Sequence, residues 1–201
     1  MNEDLPASEQ TQSRRIFQQL DRCAAYPYSL REYVARKLWQ WVQWLLIRPS
    51  PARAHGWRRF WLRLFGARID PNAGTKGSTR VVHPWLLAMG PHSMLSEGVT
   101  VYNLGMVTIG RHTVVSQDAY LCAGTHDYTK PNLPLMRSTI TIGSGVWICA
   151  GAFVGPQVAV GDNSVVGARA VVTKDVPAGL VVAGNPARVI KPRPTDQPAM
   201  P

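Results

Sequence analysis

A six-residue repeat runs through the C-terminal part of the chain and restricts it to one kind of architecture. From residue 142 the sequence divides into IGSGVW, ICAGAF, VGPQVA, VGDNSV, VGARAV and VTKDVP. The first position is always Ile or Val, the second is small, and the fifth is small or β-branched. A period of six matches neither the turn of a helix nor the alternation of a strand. It is typical of a parallel β-helix, in which six residues form one short strand and one turn.

The same register is visible upstream in MGPHSM, LSEGVT, IGRHTV and VSQDAY, after a weaker start at Ile69. We expect the aliphatic first position to point into a narrow core and to stack on its equivalent one coil away. Glycine at the second position is expected to permit the tight turn between strands. The repeat therefore predicts an all-β domain of stacked coils over residues 69–191.

The repeat breaks at LCAGTHDYTK, residues 121–130, and resumes after Thr139. Because loops that leave a rigid scaffold often carry function, we predict an active-site loop at 124–139. An imidazole, whose ordinary pKa lies near 6.5, suits the removal of a proton, so His126 is the candidate base. Consecutive side chains on an extended segment point apart, which favours Asp127 as a loop or acceptor-binding residue. The group that orients His126 is left open between Asp127, another acid and a backbone carbonyl.

A basic, tryptophan-rich segment at residues 26–68 precedes the repeat. Between Arg31 and Arg68 there are nine basic residues and one acid, Glu32, a net charge of +8, and the segment holds five of the seven tryptophans. Two helices are predicted, at 30–47 and 54–65, because Pro49 and Pro51 disfavour helix for the residues before them. The segment either caps the open end of the first coil or lies on an anionic membrane. Nucleic acid is not expected as a partner, because no nucleic-acid motif accompanies the charge.

The two ends and the cysteines indicate the setting. Residues 1–25 are polar without periodicity and 192–201 are proline-rich, so both are predicted to be disordered. The three cysteines form no C-x-x-C pair, which favours reduced thiols in the cytoplasm. No signal peptide is visible, and the longest apolar run is about half the length of a membrane span.

The segments WRRFWLRLFGARI, VYNLGMVTIG, AYLCAGTHDY and AGNPARVIK occur in that order around the repeat. With them the chain resembles the hexapeptide-repeat acyltransferases, and within these the colanic acid and exopolysaccharide O-acetyltransferase branch. The resemblance implies a left-handed parallel β-helix and a homotrimer in which acetyl-CoA and the acceptor meet between neighbouring β-helices. It also implies transfer of an acetyl group to a hydroxyl of a sugar or lipid-linked glycan, and no metal.

The resemblance further implies which residues act. His126 falls on the family's catalytic histidine, and Asn103 resembles a polar position that lines the acceptor end of the cleft. The positions that contact CoA fall on Ala150, Ala168, Thr173, Lys174, Arg188 and Lys191.

Three other functions are weighed against this one. The closest keeps the chemistry and changes the acceptor to a free small molecule such as serine, a simple sugar or an antibiotic. A zinc carbonic anhydrase on the same scaffold would need three converging histidines, and the residue five positions after His112 is Gln117. The last alternative is a non-catalytic β-helix protein that acts through its tryptophan-rich segment.

Overall fold

The computed structural model describes residues 17–23 and 28–194, and the six-residue units in it form short strands that stack into coils. The strands are β1 (Arg68–Ile69), β2 (Gly74–Thr75), β3 (Arg80–Val81), β4 (Leu87–Met89), β5 (Met94–Leu95), β6 (Thr100–Tyr102), β7 (Val107–Ile109), β8 (Val114–Val115), β9 (Tyr120–Cys122), β10 (Gly124–His126), β11 (Leu135–Arg137), β12 (Ile140–Ile142), β13 (Trp147–Ile148), β14 (Phe153–Val154), β15 (Ala159–Val160), β16 (Val165–Val166), β17 (Val171–Val172), β18 (Leu180–Ala183) and β19 (Arg188–Pro192).

Three parallel sheets form the faces of a triangular prism. Face A contains β1, β4, β7, β12 and β15, face B contains β2, β5, β8, β13, β16 and β18, and face C contains β3, β6, β9, β14 and β17. The antiparallel strand β19 ends face B, and β10 and β11 form a separate hairpin. The prism makes about six left-handed turns, which confirms the predicted fold class.

The first position of each repeat forms the core, as predicted. In the last two regular coils every such side chain is 2% or less exposed: Ile142, Ile148, Val154, Val160, Val166 and Val172. The coils pair in register, with Ile148 beside Val166 and Val154 beside Val172. Each aliphatic side chain therefore lies directly above its equivalent, and the stack excludes water along the whole prism.

The prediction for the second position is wrong. The turn residues with positive φ occupy the fourth position instead, at His92, Gly98, His112, Asp118, Gly145, Gly151, Gln157, Asn163 and Arg169. The second-position glycines are needed because the next coil approaches closely. A Cβ on Gly110 would lie 2.6 Å from the carbonyl carbon of Gly143, and one on Gly161 would lie 2.5 Å from the amide nitrogen of Ala178.

Two helices lie across the first coil, where the sequence predicts them. Helix α1 spans Leu30–Val42 and continues as a π-helical turn, Gln43–Ile47, and α2 spans His55–Leu64. Ser29 and Glu32 form a capping box that fixes the start of α1. Shorter 3-10 turns occur at Leu20–Arg22 and Pro84–Leu86. In the part of the chain that the structure describes, neither these helices nor any other is long and apolar enough to span a bilayer.

The helices satisfy the polar groups on the open edge of the first coil. On face C, Trp39 Nε1 donates to the Val81 carbonyl at 2.7 Å, and Gln43 Oε1 accepts from the Val81 amide at 2.9 Å. Arginines of α2 donate to carbonyl oxygens of the other two faces: Arg63 to Ile69, Arg59 to Ala73 and Arg58 to Thr75. An open edge needs such partners or it invites pairing with another chain. These contacts are those expected of a cap, which is one of the two roles predicted for the segment.

The predicted tails fall partly outside the described residues. Residues 1–16, 24–25 and 195–201 lie there entirely. Residues 17–23 of the predicted N-terminal tail contact the hairpin: the Gln19 amide donates to the Pro131 carbonyl at 2.9 Å and the Cys23 thiol contacts the Asn132 carbonyl at 2.8 Å. The disorder or loose order expected of the N-terminal tail stays a prediction.

Arg58 offers a test of the cap. Its guanidinium is fully buried and donates to the carbonyls of Thr75, Pro51 and Ala52, and burial lowers its pKa. Arg58→Met should cost about 3 kcal/mol or more, because several carbonyls lose their donor together. At about 2–4 °C per kcal/mol, the thermal midpoint should fall by roughly 6–12 °C. The matched change at exposed Arg53 should stay within about 0.5 kcal/mol of the parent, and equal effects at both sites would contradict the capping role.

Candidate active site

The predicted active-site loop is a β-hairpin that projects from one edge of the prism. It leaves face C after β9 and returns to face A at β12, so it stands on what we call the C–A edge. Strands β10 and β11 pair antiparallel, with His126 opposite Leu135. The excursion at 124–139 is therefore a two-stranded hairpin, and its role as an active-site loop stays a prediction.

His126 is oriented by a backbone carbonyl. Its Nδ1 lies 2.6 Å from the oxygen of Leu133. A carbonyl oxygen can only accept, so Nδ1 carries the proton and the Nε2 lone pair is available to take another. Leu133 has a φ of 42°, a region that bulky residues rarely occupy, and such local strain often accompanies functional sites. In the single chain the His126 side chain is exposed.

Asp127 closes the tip of the hairpin. Its Oδ1 accepts from the amide and the hydroxyl of Thr129, at 3.0 and 2.5 Å, and its Oδ2 lies 3.6 Å from Lys130 Nζ. The hydrogen bond from the Thr129 hydroxyl is the main reason that the pKa of Asp127 is lowered. The carboxylate therefore belongs to the turn and does not orient His126. Contact with an acceptor stays a prediction.

The prediction that Asn103 faces an acceptor is contradicted. Asn103 follows β6 on the C–A edge, but its side chain is fully buried. Its Oδ1 accepts from the His83 amide at 2.9 Å, and its Nδ2 donates to the carbonyls of His83 and Leu86 at 2.6 and 3.0 Å. All of these partners belong to the backbone of the first coil, so the amide stabilises an irregular corner.

The donor positions near the C-terminus come together. Thr173 and Lys174 follow β17 on the C–A edge, and they line a groove of about 300 Å³ together with Arg188. Strand β17 lies two coils above β9, where the hairpin begins, which is about 10 Å at the spacing of neighbouring strands. Lys191 is exposed three residues beyond Arg188 but does not line the groove.

Ala150 and Ala168 lie on a different edge. Both are exposed, and both stand where the chain passes from face B to face C, which we call the B–C edge. They are one coil apart, and the Arg169 amide donates to the Ala150 carbonyl at 2.9 Å. In one chain the predicted donor positions therefore occupy two separate edges, and only Thr173, Lys174 and Arg188 share a groove.

Sequence reasoning missed the link between the hairpin and α1. Arg137 at the end of β11 pairs with Glu32 at 3.0 Å, and its guanidinium lies 5.1 Å from the centre of the Tyr28 ring. The two charged residues are 105 positions apart in sequence. Nothing in the local pattern marks them as partners, so no signal in a single sequence could have found the contact.

The histidines outside the hairpin hold turns or the core. His92 and His112 occupy fourth positions of their repeats, and their exposed rings stack with centroids 4.9 Å apart. Within residues 17–23 and 28–194, no three side chains of His, Cys, Asp or Glu gather as ligands for a metal. The cysteines described there are free thiols, and burial raises the pKa of Cys122 and Cys149.

Comparison with known proteins gives the same architecture. Residues 139–174 match the family described as bacterial transferase hexapeptide (six repeats). Over 157 residues, which is 78% of this chain and 86% of the relative, the chain is 42% identical to WcaF of Escherichia coli (strain K12), a protein named for acetyl transfer in colanic acid biosynthesis.

Solved structures with the same fold are also acetyltransferases by name. A maltose O-acetyltransferase from Clostridium difficile 630 superposes with a TM-score of 0.75 at 24% identity, covering 84% of this chain and 91% of that one. A hexapeptide-repeat acetyltransferase from Vibrio cholerae O1 biovar eltor, complexed with acetyl coenzyme A, gives a TM-score of 0.74 at 24% identity and covers 84% and 92%.

His83 generates a prediction for acid stability. It is buried, its Nδ1 lies 2.8 Å from the Asn103 carbonyl oxygen, and its Nε2 has no partner among the described residues. Burial lowers the pKa of His83 from its ordinary 6.5, so below about pH 6.5 the unfolded chain binds a proton that the folded chain resists. Stability should therefore fall with acidification, and His83→Gln should reduce the loss between pH 7.5 and 5.5 by at most about 1.4 kcal/mol. Denaturant titrations at both pH values measure this, and an unchanged loss would contradict the assignment.

Proposed function

The chain belongs to the hexapeptide-repeat acyltransferases and is an acetyltransferase, and from that premise we propose that it transfers acetyl from acetyl-CoA to a sugar hydroxyl during assembly of a surface polysaccharide. The supporting observation is the rigid hairpin that presents the free Nε2 of His126 on the same edge as Thr173 and Lys174. The kinship with a protein named for colanic acid biosynthesis supports a sugar as the acceptor.

Acetyl-CoA would be held by cationic side chains at its phosphates and by small side chains along its pantetheine arm. Lys174, Arg188 and Lys191 are exposed cations near the top of the prism and suit the phosphates of CoA. Ala150 and Ala168 present only methyl groups, which would let the pantetheine arm lie against the coil wall. Thr173 would contribute a hydroxyl to the same groove.

We further propose a homotrimer with the active site shared between two subunits. The alanines on the B–C edge and Lys174 on the C–A edge lie apart in one chain, because face C separates the two edges. Around a threefold axis the C–A edge of one prism would face the B–C edge of the next. The neighbour would then cover the exposed ring of His126, and the cleft would exclude water from the thioester.

The proposed reaction uses His126 as a general base. Nε2 takes the proton of the acceptor hydroxyl while the hydroxyl oxygen attacks the thioester carbonyl. The carbon–sulfur bond then breaks, and the proton on Nε2 passes to the departing CoA thiolate. The Leu133 carbonyl keeps the proton on Nδ1, which holds the productive tautomer and stabilises the imidazolium that forms between the two steps.

The proposed setting is the cytoplasm, where acetyl-CoA is available. The exposed position of the hairpin would admit an acceptor sugar that is free, nucleotide-linked or lipid-linked.

Replacement of His126 tests the function. His126→Ala should lower kcat for acetyl transfer by about 10²–10⁴, because the base is lost while the donor groove is intact. Transfer of radiolabelled acetyl to a panel of glycan intermediates measures the activity, and calorimetry with CoA should give a Kd within about twofold of the parent. His112→Asn is the control, since an exposed histidine is replaced by a residue that accepts positive φ. Undiminished turnover in His126→Ala would contradict the role of His126 as the general base.

A further inference from the structure

The outer side of the cap carries an apolar surface that no described part of the chain covers. We call it the outer cap surface, and it is formed by six side chains that are 44–62% exposed: Leu38, Trp41, Trp44, Trp57, Phe60 and Leu64. Scattered exposed apolar residues are normal, but a contiguous group on one side of a molecule marks an interaction site.

Most of the six side chains lie on the sides of α1 and α2 opposite the buried residues, and Trp44 borders a groove beside residues 77–80 of the first coil. In α1 the opposite side carries Trp39, which is buried against Val81, and in α2 it carries the buried Arg58 and Leu62. Because the inner faces hold the first coil, the outer faces of both helices look outward along the axis of the prism.

The two helices are held together at the end of α1. Trp57 Nε1 donates to the carbonyl of Leu46 at 2.8 Å, which ties α2 to the end of α1. The rings of Trp57 and Phe60 stack with centroids 6.4 Å apart. A shallow hollow of about 230 Å³ lies beside Trp41 and Trp44, and Lys37 borders it.

Charge around the outer cap surface is positive. Lys37, Arg48 and Arg53 are exposed on the same segment. The only acid between Arg31 and Arg68, Glu32, is already engaged by Arg137 and by the capping box at Ser29. Within residues 31–68, an anion therefore meets cations without a free carboxylate beside them.

We propose that the outer cap surface docks on an anionic phospholipid membrane. Tryptophan rings prefer the boundary between acyl chains and headgroups, where an apolar body and a polar N–H are both satisfied. Lys37, Arg48 and Arg53 contact lipid phosphates from the same side, and the combination is that of an interfacial amphipathic helix. A protein partner would require a complementary acidic surface, whereas a bilayer supplies the apolar layer and the negative charge together.

Docking in this manner would fix the distance of the hairpin from the membrane surface. The prism axis stands across the membrane plane, and the hairpin leaves the third coil, two rises of about 5 Å above the first. The Glu32–Arg137 pair joins the hairpin to the start of α1. A parallel trimer would bring three such surfaces to one plane, which multiplies the avidity. The docking itself does not depend on the proposed chemistry.

Flotation of the full chain with vesicles tests the proposal. The vesicles contain phosphatidylcholine alone or with about a third of phosphatidylglycerol. The protein should float with the anionic vesicles, stay unbound with the neutral ones, and lose at least about tenfold of its affinity between low and high salt. Equal recovery with the two vesicle types, or no binding to either, would overturn the proposal.

A matched pair of variants identifies the surface. Trp41→Ser combined with Trp44→Ser should weaken binding to anionic vesicles by at least about tenfold. Trp147→Ser is the control, because Trp147 is 49% exposed but lies on face B, away from the cap. Circular dichroism and solution mass should match the parent in both variants. Retained binding in the double variant, or a lowered solution mass that shows the surface joins copies of this chain, would contradict membrane docking.

Discussion

The structure depends on backbone pairing between neighbouring coils, which in the C-terminal part are 18 residues apart. This pairing places Ile148 beneath Val166 and Val154 beneath Val172, so the aliphatic first positions form a continuous stack. The coils are so close that Gly110 and Gly161 have no room for a Cβ against the next coil. Because each coil repeats the one before it, every edge of the prism presents the same kind of residue at a constant spacing. A segment that does not follow the repeat must therefore lie at an edge or at an end of the prism.

The two departures in this chain are the cap and the hairpin. The cap exists because the first coil has unpaired backbone groups, and Trp39, Gln43 and the arginines of α2 occupy them. The hairpin inserts at the C–A edge without disturbing the register, since β9 and β12 still pair with their neighbours. A rigid wall with one inserted hairpin holds His126 steady, which general-base catalysis requires. The same regularity keeps Ala150 and Ala168 on another edge, so the proposed shared site needs a second subunit.

The features that could be predicted from the sequence have a local pattern, and those that could not are contacts between distant segments. Periodicity predicts the coils and the interruption at 124–139, and the prolines at 49 and 51 predict where the first helix ends. Each of these features has a local signature in the sequence. It does not reveal that glycine is needed at the second position because the next coil lies too close for a Cβ. The positive φ that the turn requires occurs at the fourth position instead. The prediction that Asn103 contacts the acceptor fails because a residue at an edge of the prism can turn its side chain inward. The Glu32–Arg137 pair and the Leu133 carbonyl behind His126 are tertiary contacts without any local pattern.

The most direct measurement of the shared active site is the activity of mixed oligomers. His126→Ala damages the C–A edge of its own chain, and Ala168→Trp fills the B–C edge of its own chain, so each variant alone should be inactive. Co-expressed in equal amounts, they should regain about a quarter of the parent's activity, because that fraction of heterologous interfaces would join two intact edges. Activity that stays at the level of the separate variants would show that each site is built within one chain, and would contradict the account.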